Sequence, residues 1–208
     1  MTFLEETRAA YDTVAVDYAA MLRDALADDP YDRAILGLFA ELVGAGRVLE
    51  AGCGPGRITA HLAALGLDAS GIDLSPEMIE VARRDHPGLR FAVGTLGSLD
   101  VVDASLDGLV AWFSIIHTPP PLQPAVFREF RRVLAPGKHL LLAFQVGADH
   151  RQRLEQAYGH TIALDAYRLS PDRVSADLVE AGFEMRVVQI RQPEGPTQKN
   201  PAAYLLAR

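Results

Sequence analysis

The sequence predicts an α/β protein built around a mostly parallel, doubly wound sheet. Apolar segments of strand length alternate with segments of helix length along the chain, a pattern typical of a sheet with helices on both faces. Residues 108–113 form an apolar run that suits a strand buried on both faces. A linker rich in Pro and Gly, residues 192–201, predicts a hairpin between the last two strands. We therefore expect seven strands, of which the last is antiparallel.

Each element is predicted from its own local signals. Asp28-Asp29-Pro30 separates the first two helices, and Ser75 and Ser170 each precede a proline as helix N-caps. The predicted helices cover residues 12–26, 31–43, 56–65, 76–84, 124–134 and 171–181. The predicted strands cover residues 47–51, 68–73, 89–93, 108–113, 138–146, 183–191 and 202–207. Residues 147–169 are interpreted as a polar connector.

The most informative segment is a glycine-rich turn between the first strand and its helix. Residues 48–57 read V-L-E-A-G-C-G-P-G-R, and Asp73 ends the next strand, 21 residues after Gly52. Glycines let the backbone approach a ligand, and a helix that begins at the turn presents free N–H groups to an anionic group. A carboxylate at the end of the second strand can accept hydrogen bonds from ribose hydroxyls. This order predicts a site for a nucleotide-type cofactor.

The spacing of the glycines distinguishes two cofactor classes. A dinucleotide site requires G-x-G-x-x-G, but here Arg57 occupies the position of the third glycine. The pattern G-x-G-x-G after Glu50 resembles the first motif of class I S-adenosylmethionine-dependent methyltransferases. Residues 71–78, 106–113 and 127–138 resemble later motifs of the same family, and the resemblance covers nearly all of the chain from Tyr11 onward. It implies one domain over residues 1–208.

The resemblance also implies the roles of the parts of that domain. Residues 1–45 would be N-terminal helices that form a lid, and residues 46–146 would be the cofactor-binding core. Residues 147–169 would lie on the substrate side, and residues 170–208 would add a helix and the hairpin. The last strand would insert antiparallel beside the fifth.

The resemblance implies S-adenosyl-L-methionine as the cofactor and assigns its binding residues. The glycine turn would surround the methionine part, Asp73 would hold the ribose, and Leu74 and Met78 would pack on the adenine. Thr95 and Leu96 replace the acidic pattern of many relatives and would contact the adenine edge. The full predicted cofactor set is Tyr18, Glu50, Gly52, Cys53, Gly54, Gly56, Arg57, Asp73, Leu74, Met78, Thr95, Leu96 and Phe113. For Tyr18, Arg57, Met78 and Thr95, a purely structural role is left open.

The predicted acceptor side lies at the end of the fourth strand. Trp112 and Phe113 occupy the edge where open α/β sheets bind ligands, and His117 follows them. His117 is the candidate catalytic base, because an acceptor hydroxyl must lose a proton and a histidine pKa suits that task. The connector residues expected over the acceptor pocket are His150, Tyr158, His160, Asp165 and Tyr167. Structural roles for Trp112, Phe113, His117 and the connector residues are left open, and no metal site is predicted.

Composition restricts the remaining function classes. The net charge of −7 argues against nucleic acid as a partner, and no apolar run is long enough to span a membrane. The N-terminus lacks a secretory signal pattern, so we expect a cytoplasmic protein. Cys53, the single cysteine, excludes an internal disulfide, and a reactive thiol is the less favoured interpretation of it. Methyl transfer to a small-molecule acceptor is predicted. An NAD(P)-dependent oxidoreductase and a non-catalytic S-adenosylmethionine-binding or S-adenosylhomocysteine-binding protein are kept as alternatives.

Overall fold

A computed structural model describes residues 2–194 and 200–208 of the chain. The helices are α1 (Phe3–Leu22), α2 (Pro30–Val43), α3 (Arg57–Ala64), α4 (Pro76–Asp85), α5 (Gln123–Val133) and α6 (Pro171–Glu180). The strands are β1 (Arg47–Ala51), β2 (Asp68–Asp73), β3 (Arg90–Val93), β4 (Leu106–Trp112), β5 (Leu134–Gln145), β6 (His150–Ala157), β7 (His160–Arg168), β8 (Met185–Arg191) and β9 (Ala202–Ala207). Part of the linker predicted over residues 192–201 lies outside the described residues.

Seven of the strands form one sheet in the order β3-β2-β1-β4-β5-β9-β8. The first five are mutually parallel, and β9 pairs antiparallel with both β5 and β8. The predicted fold class and the insertion of the last strand beside the fifth are therefore confirmed. Because β1 and β4 are adjacent at the centre, the order of the strands reverses there, and the carboxyl ends of these strands form the crevice in which such sheets bind ligands.

Each face of the sheet carries its own apolar core. On one face, α2 and α3 contribute Phe39, Ile58 and Leu62, which pack with Val110 and Tyr204 of the sheet. On the other face, side chains of α5 and α6 pack on alternate residues of the same strands. Burial on both faces holds the central strands rigidly, so the residues at their carboxyl ends are fixed in position.

The N-terminal helix begins nine residues earlier than the sequence pattern predicts. Thr2 caps it by accepting a hydrogen bond from the Glu5 amide, while the Glu5 carboxylate accepts one from the Thr2 amide. This reciprocal arrangement is a capping box, and its T-x-x-E signature is present in the sequence. The extra turns bring Phe3 and Leu4 into the cavity described below.

The prediction that residues 147–169 form a polar connector without strands is wrong. Residues 150–168 form a two-stranded antiparallel hairpin, β6–β7, that is separate from the main sheet. Ile162 and Leu164 of β7 pack against Val14 of α1, so α1 and the hairpin form one layer. We call α1 together with β6 and β7 the lid.

In the described part of the chain, no helix has the length and apolar character needed to cross a bilayer.

Candidate active site

A cavity of about 380 Å³ lies at the carboxyl ends of β1, β2 and β4, beneath α1. Its volume falls within the range of about 300–1,000 Å³ that is usual for small-molecule sites. Its walls come from five regions of the chain. They are α1 (Phe3, Leu4, Thr7, Tyr11, Tyr18), the end of β1 with the following turn and α3 (Glu50, Gly52, Cys53, Gly54, Pro55, Arg57, Ile58), the end of β2 (Asp73, Leu74, Ser75), residues 94–98, and residues from 112 to 126.

The glycine turn is tied to the neighbouring strand. The amides of Gly52 and Cys53 both donate to the carbonyl of Ile72, each at 2.8 Å. Gly52 has φ +80°, and a Cβ there would overlap the side chain of Ser114, whose hydroxyl donates to Ala51 O at 2.6 Å. Only glycine fits this position, because both the backbone angle and the close approach exclude a side chain.

Asp73 closes the turn from the opposite side. Its Oδ2 accepts from the Gly54 amide at 2.8 Å, and its Oδ1 accepts from the Ser75 amide at 2.9 Å. Burial raises the pKa of Asp73, while these backbone hydrogen bonds act in the opposite direction. A carboxylate offers about four lone pairs, and the amides of Gly54, Leu74 and Ser75 do not use all of them. Asp73 can therefore hold the turn and still accept a hydrogen bond from a ligand hydroxyl.

Glu50 is a buried acid in the wall of the cavity. It is 2% exposed and accepts a hydrogen bond from the Thr59 hydroxyl of α3. Burial raises the pKa of Glu50 to about 8, and the nearby Arg57 opposes the rise. An acid with this pKa holds its proton at neutral pH until a cation arrives beside it.

Two aromatic residues at the end of β4 form the floor of the cavity. Trp112 is 5% exposed, and its buried Nε1 has no hydrogen-bond partner among the described residues. Phe113 has φ +53°, in the left-handed region, although it is not a glycine. This conformation costs roughly 1 kcal/mol and is concentrated at functional sites. Phe113 follows directly on β4, and its backbone turns the chain toward Ser114 and His117.

His117 is held between the two parts of the lid. Its Nδ1 lies 2.8 Å from the carbonyl oxygen of Asp165 in β7, and its Nε2 lies 2.7 Å from the hydroxyl of Tyr11 in α1. Burial lowers the pKa of His117, so the imidazole is neutral at neutral pH. The structure thus places the predicted catalytic histidine in the cavity wall, in contact with a tyrosine.

The lid is attached to the core by polar contacts as well as by apolar packing. Asp12 of α1 accepts from the hydroxyl of Ser75 at 2.6 Å, beside the Asp73 loop. Within the lid itself, Arg153 of β6 pairs with Glu6 of α1 and with Asp165 of β7. Movement of α1 would therefore disturb the Asp73 loop and the hairpin together.

The connector residues predicted to lie over the acceptor pocket do not line the cavity. The ring of Tyr158 packs edge-on against Tyr18 at 4.9 Å, and His160 pairs with Asp17 on the outer part of α1. His150 and Tyr167 belong to the same hairpin and are likewise absent from the cavity wall, as is the Asp165 side chain. The hairpin packs behind α1, so α1 lies between most of its side chains and the cavity.

Two of the predicted cofactor residues also lie outside the cavity wall. Gly56, with φ +82°, faces Phe91, since a Cβ there would lie 2.7 Å from its ring. Met78 is fully buried and packs with Ala10 and Val14 of α1. Both serve packing between helices and sheet, which is the structural alternative left open for Met78. The other eleven predicted cofactor residues line the cavity.

Cys53 lies in the turn, but its thiol is buried. Burial raises the pKa of Cys53 well above its usual range. The Sγ packs toward Gly71, where a Cβ would lie 2.7 Å from it, so the thiol fills the space between α3 and β2. A small side chain is needed there, and a reactive thiolate is not formed at neutral pH.

Several cavity residues were missed by the sequence interpretation. Phe3, Leu4 and Thr7 were missed because α1 was predicted to begin at Asp12, although the capping box was readable. Ser114 in the wall, and Thr59 behind Glu50, carry no local signal, since their partners Ala51 and Glu50 are known only from the tertiary structure. Leu122, Ala125 and Val126, at the start of α5, complete the wall beyond His117.

Comparisons with known proteins agree with this geometry. Residues 48–137 match a family model described as a methyltransferase domain. This segment contains the glycine turn, Asp73 and His117. Over residues 48–137 the chain therefore carries a methyltransferase domain.

Individual relatives show how far the similarity extends. The chain is 34% identical over 110 residues to a ubiquinone biosynthesis O-methyltransferase of Xanthomonas oryzae, which covers 50% of this chain and 44% of the relative. It is 33% identical over 162 residues to an uncharacterized methyltransferase of Mycobacterium bovis, which covers 76% of this chain and 61% of the relative. The chain thus spans between about half and two thirds of these curated relatives.

The fold is shared with solved methyltransferase structures. The magnesium protoporphyrin IX methyltransferase of Synechocystis, solved with bound S-adenosylmethionine, superposes with a TM-score of 0.77 at 15% identity, covering 100% of this chain and 97% of that one. At this identity the superposition establishes the fold. The family resemblance recognised from the glycine turn is confirmed.

Proposed function

We propose that this methyltransferase-family protein binds S-adenosyl-L-methionine and transfers its methyl group to a small-molecule acceptor. One observation carries the proposal: Glu50, the glycine turn and Asp73 meet in the wall of a single cavity of ligand size. A carboxylate for the ribose, a buried acid for the ammonium and a turn between them form the donor and acceptor set that this cofactor needs.

The residues of the cavity wall divide the cofactor between them. Asp73 accepts a hydrogen bond from the ribose with the lone pairs left free by the Gly54, Leu74 and Ser75 amides. Arg57, which has no salt bridge to any described residue, pairs with the amino-acid carboxylate. Leu74, Thr95 and Leu96 would lie along the adenine.

Glu50 adjusts its charge to the cofactor. In the free protein it is protonated at neutral pH because burial raises its pKa to about 8. An ammonium group beside it favours the carboxylate form and lowers that pKa, so binding would release a proton near neutral pH.

The bound cofactor would supply an electrophilic methyl group, and the chain would supply alignment and exclusion of water. α1 lies over the cavity with Tyr18 near Gly54, where a Cβ would be 3.8 Å from its ring. His117 is the proposed base, since it lines the acceptor side and is neutral. The cytoplasmic location and the absence of a nucleic-acid partner, both expected from the sequence, stay predictions.

Binding can be measured with the single tryptophan as the reporter. Trp112 lies in the cavity wall, so its emission should change when S-adenosylhomocysteine is added, and NAD should cause no change. Asp73→Asn should weaken binding roughly 10- to 100-fold, because it removes a charged acceptor. Asp100→Asn, at an exposed position far from the turn in sequence, is the matched control and should bind normally.

Turnover completes the test. Transfer of a labelled methyl group from S-adenosylmethionine to a panel of phenols, amines and carboxylates should identify at least one methylated class. Binding of S-adenosylhomocysteine without transfer to any class would favour the non-catalytic alternative. A response to NAD instead would favour the oxidoreductase.

A further inference from the structure

The hydrogen bonds around His117 fix the position of its proton. The Asp165 carbonyl oxygen can only accept, so Nδ1 of His117, 2.8 Å away, must carry the hydrogen. In a neutral imidazole Nε2 is then an acceptor, and the Tyr11 hydroxyl at 2.7 Å must donate to it. The lone pair of the base is therefore covered by Tyr11.

The acceptor end of the cavity can be located along α1. Tyr18 lies over the glycine turn, and Phe3 is fifteen residues away, which is about 22 Å along a helix. Tyr11 lies between them. Beyond Tyr11, the described walls come from Phe3, Leu4, Thr7, Leu122, Ala125 and Val126.

The charges in the cavity all belong to the cofactor end. Of the described residues that line it, those with a carboxyl or guanidinium group are Glu50, Arg57 and Asp73, each next to the glycine turn or the end of β2. The walls beyond Tyr11 named above are apolar except for the hydroxyl of Thr7. A charged acceptor would be desolvated there without a partner, which is unfavourable.

We propose that the acceptor is an uncharged, largely apolar molecule with a hydroxyl group, and that Tyr11 takes the proton of this hydroxyl and passes its own to His117. The inference rests on the proposed methyl transfer. Tyr11 would be the catalytic residue that touches the acceptor, and His117 would act through it.

The proton transfers balance. As the acceptor oxygen forms its bond to the methyl carbon, the sulfur–methyl bond breaks and the sulfonium becomes a neutral thioether. The acceptor proton goes to the oxygen of Tyr11, while the Tyr11 proton goes to Nε2 of His117. The resulting imidazolium keeps its Nδ1 hydrogen bond to the Asp165 carbonyl.

Simultaneous transfer of both protons avoids a buried tyrosinate. Burial raises the pKa of Tyr11 well above its usual range, and Tyr18, Tyr158 and Asp73 act in the same direction. Asp165 also favours the charged form of His117. Tyr18, Tyr158 and Asp73, on α1, the hairpin and the end of β2, thus favour neutral Tyr11, while Asp165 opposes the lowering of the His117 pKa by burial.

The first test is the tautomer of His117. Nitrogen-15 spectra of the full-length protein should show the Nδ1–H form, whereas free histidine prefers Nε2–H. The Tyr11→Phe variant should keep the Nδ1 hydrogen bond but lose the signature of a donor at Nε2. An Nε2–H tautomer in the wild type would overturn the relay.

The second test uses phenols of different acidity with S-adenosylmethionine. With 2-naphthol, which holds its proton at neutral pH, Tyr11→Phe and His117→Asn should each reduce kcat at least about 100-fold. With 4-nitrophenol at a pH where it is already ionised, the apolar wall should raise KM for the anion in every form of the protein. At saturating 4-nitrophenol the same variants should retain kcat within about 10-fold of the wild type, because no base is needed. Tyr31→Phe makes the same change in α2, outside the cavity wall, and should leave both rates unchanged.

Each other outcome counts against part of the proposal. Equal losses with both phenols would show that Tyr11 only positions the acceptor. Loss in His117→Asn alone would show that histidine takes the proton directly. If S-adenosylhomocysteine binds but no phenol is methylated, the acceptor class is wrong; if it does not bind, the proposed function fails first.

Discussion

The Glu50→Gln substitution should stabilise the free protein and weaken its binding of the cofactor. Folding raises the pKa of Glu50 from its ordinary value of 4.5 to about 8. Between these values the native state holds a proton that the unfolded chain has released. The stability associated with protonated Glu50 is therefore fully present below about pH 4.5 and is lost as the pH rises through 8.

The expected change in the free energy of unfolding follows from the difference between the two pKa values of Glu50. One pKa unit corresponds to about 1.36 kcal/mol, so wild-type Glu50 lowers the free energy of unfolding by at most about 3 kcal/mol at pH 7 and about 5 kcal/mol above pH 8. Glutamine has the same shape and never ionises, and its Oε1 can still accept from the Thr59 hydroxyl. The variant should gain most of this free energy.

Urea denaturation followed by Trp112 fluorescence and circular dichroism measures the difference at several pH values. The gain should grow from about pH 5 to about pH 8 and then level off. Calorimetry should show S-adenosylhomocysteine binding weakened roughly 10- to 100-fold, because the ammonium loses its carboxylate.

Glu129→Gln is the matched control with the opposite sign. Arg132 lowers the pKa of Glu129, so its ionised form stabilises the protein above the unfolded-state pKa and that stability is lost as the pH falls. This variant should be less stable than the wild type at neutral pH. A Glu50→Gln variant that gains no stability at pH 7, or gains the same at every pH, would refute the reasoning.

Three further substitutions or reactions test other parts of the structure. Gly52→Ala should lower the free energy of unfolding by about 2 kcal/mol or more, because φ is +80° and the new Cβ meets Ser114. Gly88→Ala, with open space around it, is the control and should be close to neutral. Thermal melts of the two variants measure the difference. Native Cys53 should react with iodoacetamide far more slowly than the unfolded chain, since burial raises its pKa, and mass spectrometry that shows equal rates would contradict its placement. Arg153→Ala should leave global stability nearly unchanged but speed hydrogen exchange in β6 and β7, because its exposed ion pairs join the hairpin to α1.

The cofactor half of the site was predictable because its signals are local. The glycine turn, Asp73 and the Ser75 cap lie within 25 residues of chain, and each conformation is encoded by a glycine, a strand end or a capping side chain. The number of strands in the main sheet followed from their alternation with helices, and the place of the antiparallel last strand followed from the resemblance. These parts of the sequence carry their meaning without reference to distant residues.

The hairpin was missed because its strands are rich in polar residues that have little strand preference. Arg, Gln and Glu dominate β6, and the turn is Tyr158-Gly159, in which both residues have positive φ. That turn is of the type that favours Asn-Gly, so a tyrosine hides the signal. Packing of Ile162 and Leu164 on α1 stabilises the hairpin.

The Tyr11–His117 contact had no sequence signal at all. The two residues are separated by 106 positions, and Asp165 joins them from 48 positions further on. The sequence nominated His117, but only the packing of the lid beside the end of β4 brings Tyr11 to it. The chemistry of the acceptor side therefore had to come from the structure.

The central claim is that the glycine turn, Glu50 and Asp73 together bind a sulfonium-bearing amino acid and its attached nucleoside. Isothermal titration of the purified full chain with S-adenosylhomocysteine tests it most directly, with NAD titrated in parallel. We predict saturable binding at one site per chain for the first ligand and no heat of binding for the second. No detectable heat with S-adenosylhomocysteine at concentrations that saturate typical cofactor sites, or binding of NAD in its place, would contradict the claim.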